Sequence, residues 1–180
     1  MSHISPPEPV KFLTAIFSAE QPLIVEAIGR LQAVVGTLDY ISETFVFDQT
    51  EYYRAEMGWP LYKRIVAAEN LIDPADLVRI KLACMEIESD YCEGDQRRVN
   101  LDPGYVARQR LVLATGKDQA HRLYLEQGVY AELTLIYESG EFHSLRWTYP
   151  DFAGETVRNI AADIRKKYLH QLQSEGRIQS

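Results

Sequence analysis

The chain has 180 residues, 46% of them hydrophobic, and carries a formal net charge of −7 with a sequence pI near 5.1. That is ample apolar material for one domain, and the wrong charge balance for wrapping duplex nucleic acid. No window approaches the roughly 20 apolar residues that span a bilayer, and the start MSHISPPEPVK lacks a charged leader followed by an apolar run. A cytoplasmic protein with neither a membrane nor a duplex nucleic acid as partner is expected.

Pro6, Pro7 and Pro9 mark residues 1–9 as a loose arm before VKFLTAIFS, Val10 to Ser18, whose apolar run predicts a buried strand. Ser18 offers an N-cap, and Leu23, Ala27, Ile28, Leu31, Val34 and Val35 repeat at helical spacing up to Gly36. Asp39 to Asp48 alternates around Tyr40, Ile41, Phe45 and Phe47, which predicts one further strand; QTEYYRAEMGWP then reads as a loop or helical turn, and Leu61 to Ala67 as a third strand. Asp73 and Pro74 open a second helix carrying Leu77, Ile80, Lys81, Cys84, Ile87 and Glu88, with Gly94 as its stop. Cys84 and Cys92, about 12 Å apart along such a helix, are too distant for a disulfide and are expected to be reduced, Cys84 in the core.

With Arg98 to Leu101 as the next strand, the order becomes βαββαβ, the order of a ferredoxin-like half. Four strands then follow, Arg110 to Ala114, His121 to Leu125, Val129 to Tyr137 and Phe142 to Trp147, joined by Gly-containing turns as an antiparallel meander. Phe152 to Gln173 closes the chain as an amphipathic helix on Val157, Ile160, Ala161, Ile164, Tyr168 and Leu172. The expected architecture is a single α+β domain over 1–180: a ferredoxin-like N-terminal half, a C-terminal β-meander and a terminal helix, with 174–180 a disordered tail.

The densest chemistry lies between Arg97 and Thr134. In RRVNLDPGY, Asp102-Pro103-Gly104 has the residues of a type II turn. Arg98 and Asn100, two apart on a strand, share a face with Asp102 just beyond, so an Arg, an amide and a carboxylate would meet in one groove. The TGKDQAHR segment adds Lys117, Asp118, His121 and Arg122, positive potential for an anion beside the one side chain that titrates near neutrality. Glu132 and Thr134 share a face of the next strand and would meet His121 or Arg122 across it. Asp102, Asp118, His121 and Glu132 do not have the spacing of a metal signature, no nucleophile elbow is present, and neither phosphate-cradling glycine motif occurs. No cofactor is specified. Tyr52, Tyr53 and Glu56 in FDQTEYYRAEM, with Trp147, Tyr149 and Asp151 in WTYPD, form an aromatic set that either lids the core or offers a stacking surface.

Seven blocks in order, VKFLTAIFS, FDQTEYYRAEMG, LIDPADLVRIK, RRVNLDPGYV, LVLATGKDQAHRLYL, GVYAELTLIY and LRWTYPDF, cover nearly the whole chain. In these the sequence resembles the bacterial family catalogued as domain of unknown function 4416. The resemblance implies a full-length module with no assigned activity. Members often carry the label GTP-binding protein, for which TGKD is shifted by one residue from the guanine-reading Asn-Lys-x-Asp element and no phosphate loop accompanies it.

Two function classes follow from the residues. In one, a small anionic, phosphorylated or nucleotide-like ligand is held by Arg98, Asn100, Lys117, Asp118 and Arg122 beside Tyr53 and Trp147. His121 is then acid or base, with Asp102 and Glu132 orienting it. In the other, the Tyr52, Tyr53, Trp147 and Tyr149 surface binds a protein or single-stranded RNA without catalysis. A deep pocket of convergent charge favours the first, and a flat aromatic face the second.

Overall fold

The strand β1 (Val10–Ser18) is buried along its whole length, because both faces of the sheet around it are covered. The structure, a computed structural model, describes residues 3–48 and 53–178. After β1 come α1 (Gln21–Val35), β2 (Leu38–Ile41), β3 (Phe45–Phe47), α2 (Arg54–Met57), β4 (Leu61–Ile72) and α3 (Leu77–Asp90). The second half holds β5 (Asn100–Ala107), β6 (Arg110–Thr115), β7 (Arg122–Glu126), β8 (Val129–Glu138), β9 (Glu141–Ser144), α4 (Pro150–Ala153) and α5 (Glu155–Ser174).

The strands join in one antiparallel sheet of order β2-β4-β1-β5-β6-β8-β7, with β3 also on β4 and β9 also on β8. Alternation along β1 assigns its side chains to two cores. Phe12 and Ile16 meet Ile24, Ala27, Ile28 and Leu31 of α1 and Ile80, Cys84 and Ile87 of α3. Leu13 and Ala15 meet Phe152 of α4 and Val157, Ala161 and Ile164 of α5. Each fully buried side chain of this size contributes about 1.5–3 kcal/mol, so this two-sided burial is the main reason the sheet holds. The same burial pushes the Cys84 thiol up to about 12, leaving it a core residue. Asp73 caps the approach to α3 by accepting the Ala75 N–H at 2.8 Å, with Pro74 following. Among the described residues no helix is long and apolar enough to cross a membrane.

Five expected elements differ, the first being the third strand, which runs past Ala67 to Ile72 because its end pairs with Val10 and Lys11 of β1. The Asp39 to Asp48 strand is broken into β2 and β3, because Ser42 replaces a rung of the ladder: its Oγ accepts the Ile65 N–H while its own N–H reaches the Ile65 carbonyl, both at 2.9 Å. The strand after α3 starts at Asn100 and runs through the expected Asp102–Gly104 turn to Ala107. The last strand stops at Ser144, where Thr148 turns the chain by donating its N–H to the Leu145 carbonyl and accepting the Leu145 N–H on its Oγ. The terminal helix is two helices, α4 and α5, because Gly154 is extended at φ −65 and ψ 150.

Candidate functional site

Where β5 and β6 part, the sheet opens into a cavity. They pair only from Gly104 opposite Leu113 to Ala107 opposite Arg110, so Asn100 to Pro103 lean on β1 alone. This placement explains two residues that resemble turn formers. Gly104 is required by close approach, since a Cβ there would lie 2.2 Å from the Val112 carbonyl oxygen. Pro103 falls on the stretch that β6 does not reach, where a missing N–H breaks no rung.

The backbone left open at Leu101 is completed by α3 instead. Glu88 accepts the Leu101 N–H at 2.6 Å, and Lys81 donates to the Leu101 carbonyl at 3.2 Å. Burial raises the Glu88 carboxyl above its ordinary range, against the opposing pull of Lys81 and of that N–H. Two charged side chains thus replace a missing strand and hold the gap open.

The cavity measures about 580 Å³ and is lined from both faces of the sheet: by Phe17, Phe47 and Tyr53, by Lys81, Met85 and Glu88 of α3, by Asn100 and Asp102 of β5, by Thr115, Gly116 and Lys117 after β6, by Arg122 and Glu132, and by Tyr149 to Phe152. Most of its cations are already held. Arg97 donates to both oxygens of Glu56 at 2.7 and 3.0 Å and to the Asn100 side-chain oxygen at 2.7 Å. Those bonds hold the Glu56 carboxyl below its usual value. Lys63, 1% exposed, pairs with Asp151 and lies 3.8 Å from the Phe47 ring centre. Arg122 donates to Glu132 at 2.7 Å, to the Lys117 carbonyl at 2.9 Å and to the Tyr149 hydroxyl at 3.3 Å.

Three polar groups on this wall are not satisfied. Asp102, half-buried, forms no hydrogen bond or ion pair among the described residues. Asn100 Nδ2 and Glu132 Oε1, on residues 3% and 2% exposed, have no hydrogen-bond partner among the described residues. A buried polar atom left unpaired costs about 1–3 kcal/mol, so two of them on one cavity wall set it apart from an ordinary core surface.

The expected site residues divide. Asn100, Asp102, Lys117, Arg122, Glu132 and Tyr53 line the cavity. Arg98 does not. It precedes β5, so strand alternation does not govern it, and it pairs at the surface with Glu20 at 2.8 Å and with Glu93. Asp118 is exposed on the turn after β6 and is not on the wall. His121 stands behind Glu132, bonded to it at 3.1 Å, with its ring stacked on Trp147 at 5.2 Å between centres. Trp147 is fixed there by its Nε1 donating to the Leu133 carbonyl at 2.8 Å. Tyr53 turns inward against Phe17, 4.9 Å between ring centres, and burial raises its hydroxyl pKa. Tyr52 lies outside the described residues.

Lys63, Lys81, Glu88 and Arg97 were not singled out as site residues by sequence reasoning. The legible signal was a Lys or Glu on the apolar face of an expected helix, as for Lys81 and Glu88 beside Cys84; for Lys63 and Arg97 nothing local separates them from surface charge. Among the described residues no group of three or more His, Cys, Asp or Glu is arranged to hold a metal ion.

A family model described as a domain of unknown function, DUF4416, matches residues 8–168. No curated protein and no solved structure matches the chain.

Proposed function

The chain belongs to the DUF4416 family, whose description names no activity, and from the cleft itself we propose that it is a small-molecule-binding protein whose ligand occupies the cavity between β5 and β6. The observation that carries this reading is the wall of unsatisfied groups, Asp102, Asn100 Nδ2 and Glu132 Oε1, in a cavity of about 580 Å³. That volume suits a metabolite, and pockets that hold metabolites combine apolar walls with a few convergent polar groups. Phe17, Phe47 and Tyr53 supply the apolar wall.

A catalytic form of this reading gives proton transfer to Asp102, the half-buried carboxylate that nothing else engages. His121 acts through Glu132 as a positioning residue, since it does not line the cavity. The anionic ligand expected from the sequence has thinner support. Arg98 is elsewhere and Arg122 spends its donors on Glu132, Lys117 and Tyr149. The flat aromatic surface for a protein or RNA is disfavoured by the inward turn of Tyr53 and the stacking of Trp147 on His121.

The N-terminal half reads as ferredoxin-like in this proposal, supported by the antiparallel order β2-β4-β1-β5 with α1 and α3 on one face. Free Cys84 and Cys92 support a reducing, cytoplasmic setting.

The test is a thermal-shift screen of the full chain against nucleotides, sugar phosphates, amines and amino acids, followed by Gly116→Trp. Gly116 lines the cavity and a Cβ there meets nothing within 4 Å, so the variant is expected to fold and to narrow the cavity with its ring. A ligand of the cleft raises the wild-type Tm and leaves that of Gly116→Trp unchanged. Equal shifts in both proteins would put the ligand elsewhere.

A further inference from the structure

We propose that the ligand of this cleft carries a protonated amine that docks on Asp102, beside an oxygen acceptor that takes the Asn100 side-chain N–H. This rests on the reading of the cleft as a ligand site and names what the site selects.

The charges on the wall lead there one at a time. Lys63 is neutralised by Asp151, Arg97 by Glu56 and Arg122 by Glu132. Lys81 points its ammonium at the Leu101 carbonyl, in the same α3 brace as Glu88, and Lys117, on the turn after β6, is not free either. Asp102 is left as a carboxylate with no hydrogen bond or ion pair among the described residues, in a cavity walled by Phe17 and Tyr53. A half-buried carboxylate facing an apolar wall gains from a cation or donors that compensate its charge. The unsatisfied Glu132 Oε1 asks for a donor as well. Both openings on this side therefore select hydrogen-bond donors, and the charge of Asp102 selects a positive one.

Asn100 gives the complementary demand. It lies two residues from Asp102 on the same face of β5, its oxygen is taken by Arg97, and its Nδ2 has no acceptor. A ligand fitting both positions has an ammonium at one end and an acceptor oxygen at the other, spaced by the roughly 6.6 Å between alternate residues of a strand. Its body is apolar enough to lie on Phe17, Phe47 and Tyr53, where a ring gains from edge or stacking contact.

Three probes sharing one phenol ring separate charge from shape: tyramine, with an ammonium; tyrosol, with a hydroxyl in its place; and 4-hydroxyphenylacetate, with a carboxylate. Titration calorimetry on the full wild-type chain is expected to find tyramine at least roughly ten-fold tighter than tyrosol, about 1.4 kcal/mol, with 4-hydroxyphenylacetate weakest. Asp102→Asn is expected to bring tyramine down to the affinity of tyrosol and leave tyrosol unchanged, while Asp102→Glu keeps the preference. The tyramine-to-tyrosol ratio is read in wild type, so it stands even if a variant fails to fold. Equal affinities, a preference for the carboxylate, or no binding by any of the three overturns the amine proposal. If tyrosol binds equally well and Gly116→Trp abolishes it, the cleft reading survives and the amine is wrong. If tyramine binds undiminished in Gly116→Trp, both fall.

Discussion

Glu132 is 2% exposed and faces the Arg122 guanidinium at 2.7 Å and the His121 ring at 3.1 Å through a single oxygen. Its removal leaves the Arg122 guanidinium, with a side chain 1% exposed, short of its counter-charge. Breaking one side of a buried pair costs about 3–5 kcal/mol, and the bonds from Arg122 to Lys117 and Tyr149 hold Glu132→Ala near the lower end. Urea unfolding of the variant, with the midpoint falling and the slope unchanged, checks this. Glu88 gives a pH signature of opposite sign from the usual carboxylate. Burial raises its folded-state pKa above the ordinary 4.5, so the folded chain keeps this proton to higher pH than the unfolded chain does. Stability from this group is therefore lost as pH rises from about 4.5 through the folded value. Glu88→Gln, which keeps an acceptor for Leu101, should lose less stability than wild type as pH rises above about 4.5. A wild-type-minus-variant difference that does not change over that rise would sink the assignment.

At the scale of elements, β5 decides the architecture of the cleft. Gly104 allows it to touch β6 and Pro103 marks where that contact ends. Gly104→Ala places a Cβ against the Val112 carbonyl, which no side-chain rotation relieves, so a loss of about 3 kcal/mol, the upper range for overpacking, is expected in thermal or urea unfolding. The period-2 and period-3.6 patterns made β1, α1, α3 and the hairpins β6 to β9 readable, because each has one residue type per face. Asp102-Pro103-Gly104 was not readable as a strand, since local propensity prescribes a turn and only the neighbouring strand shows why these residues are needed. Arg97 and Arg98 illustrate the same limit. They are adjacent and alike, yet one enters the cavity and the other the surface, because β5 begins two residues later than expected. Arg122 and Glu132 were legible as a cross-strand pair, and the structure places them directly opposite. Lys63, which meets Asp151 from 88 residues away, carries no local sign of that meeting.

On the scale of the whole molecule, β1 and β4 at the centre are covered on both faces, while β7 carries exposed Leu123, Tyr124 and Leu125 at the edge of the sheet. Amide exchange should follow that gradient, slowest in β1 and the middle of β4 and fastest in β7 and β9. Uniform protection across the sheet, measured by hydrogen exchange with mass spectrometry, would contradict it. The cavity wall is drawn from Phe17 near one end of the chain and Phe152 near the other, with contributions from α3, β5, β6, β7 and β8 between them. No contiguous fragment shorter than that span can therefore form the complete wall. A chain emerging during synthesis cannot close the cavity until Phe152 of α4 arrives, and cleavage ahead of α4 removes that part of the wall together with α5. Assembly of the cleft is in this sense a property of the whole span from Phe17 to Phe152, and of no single element within it.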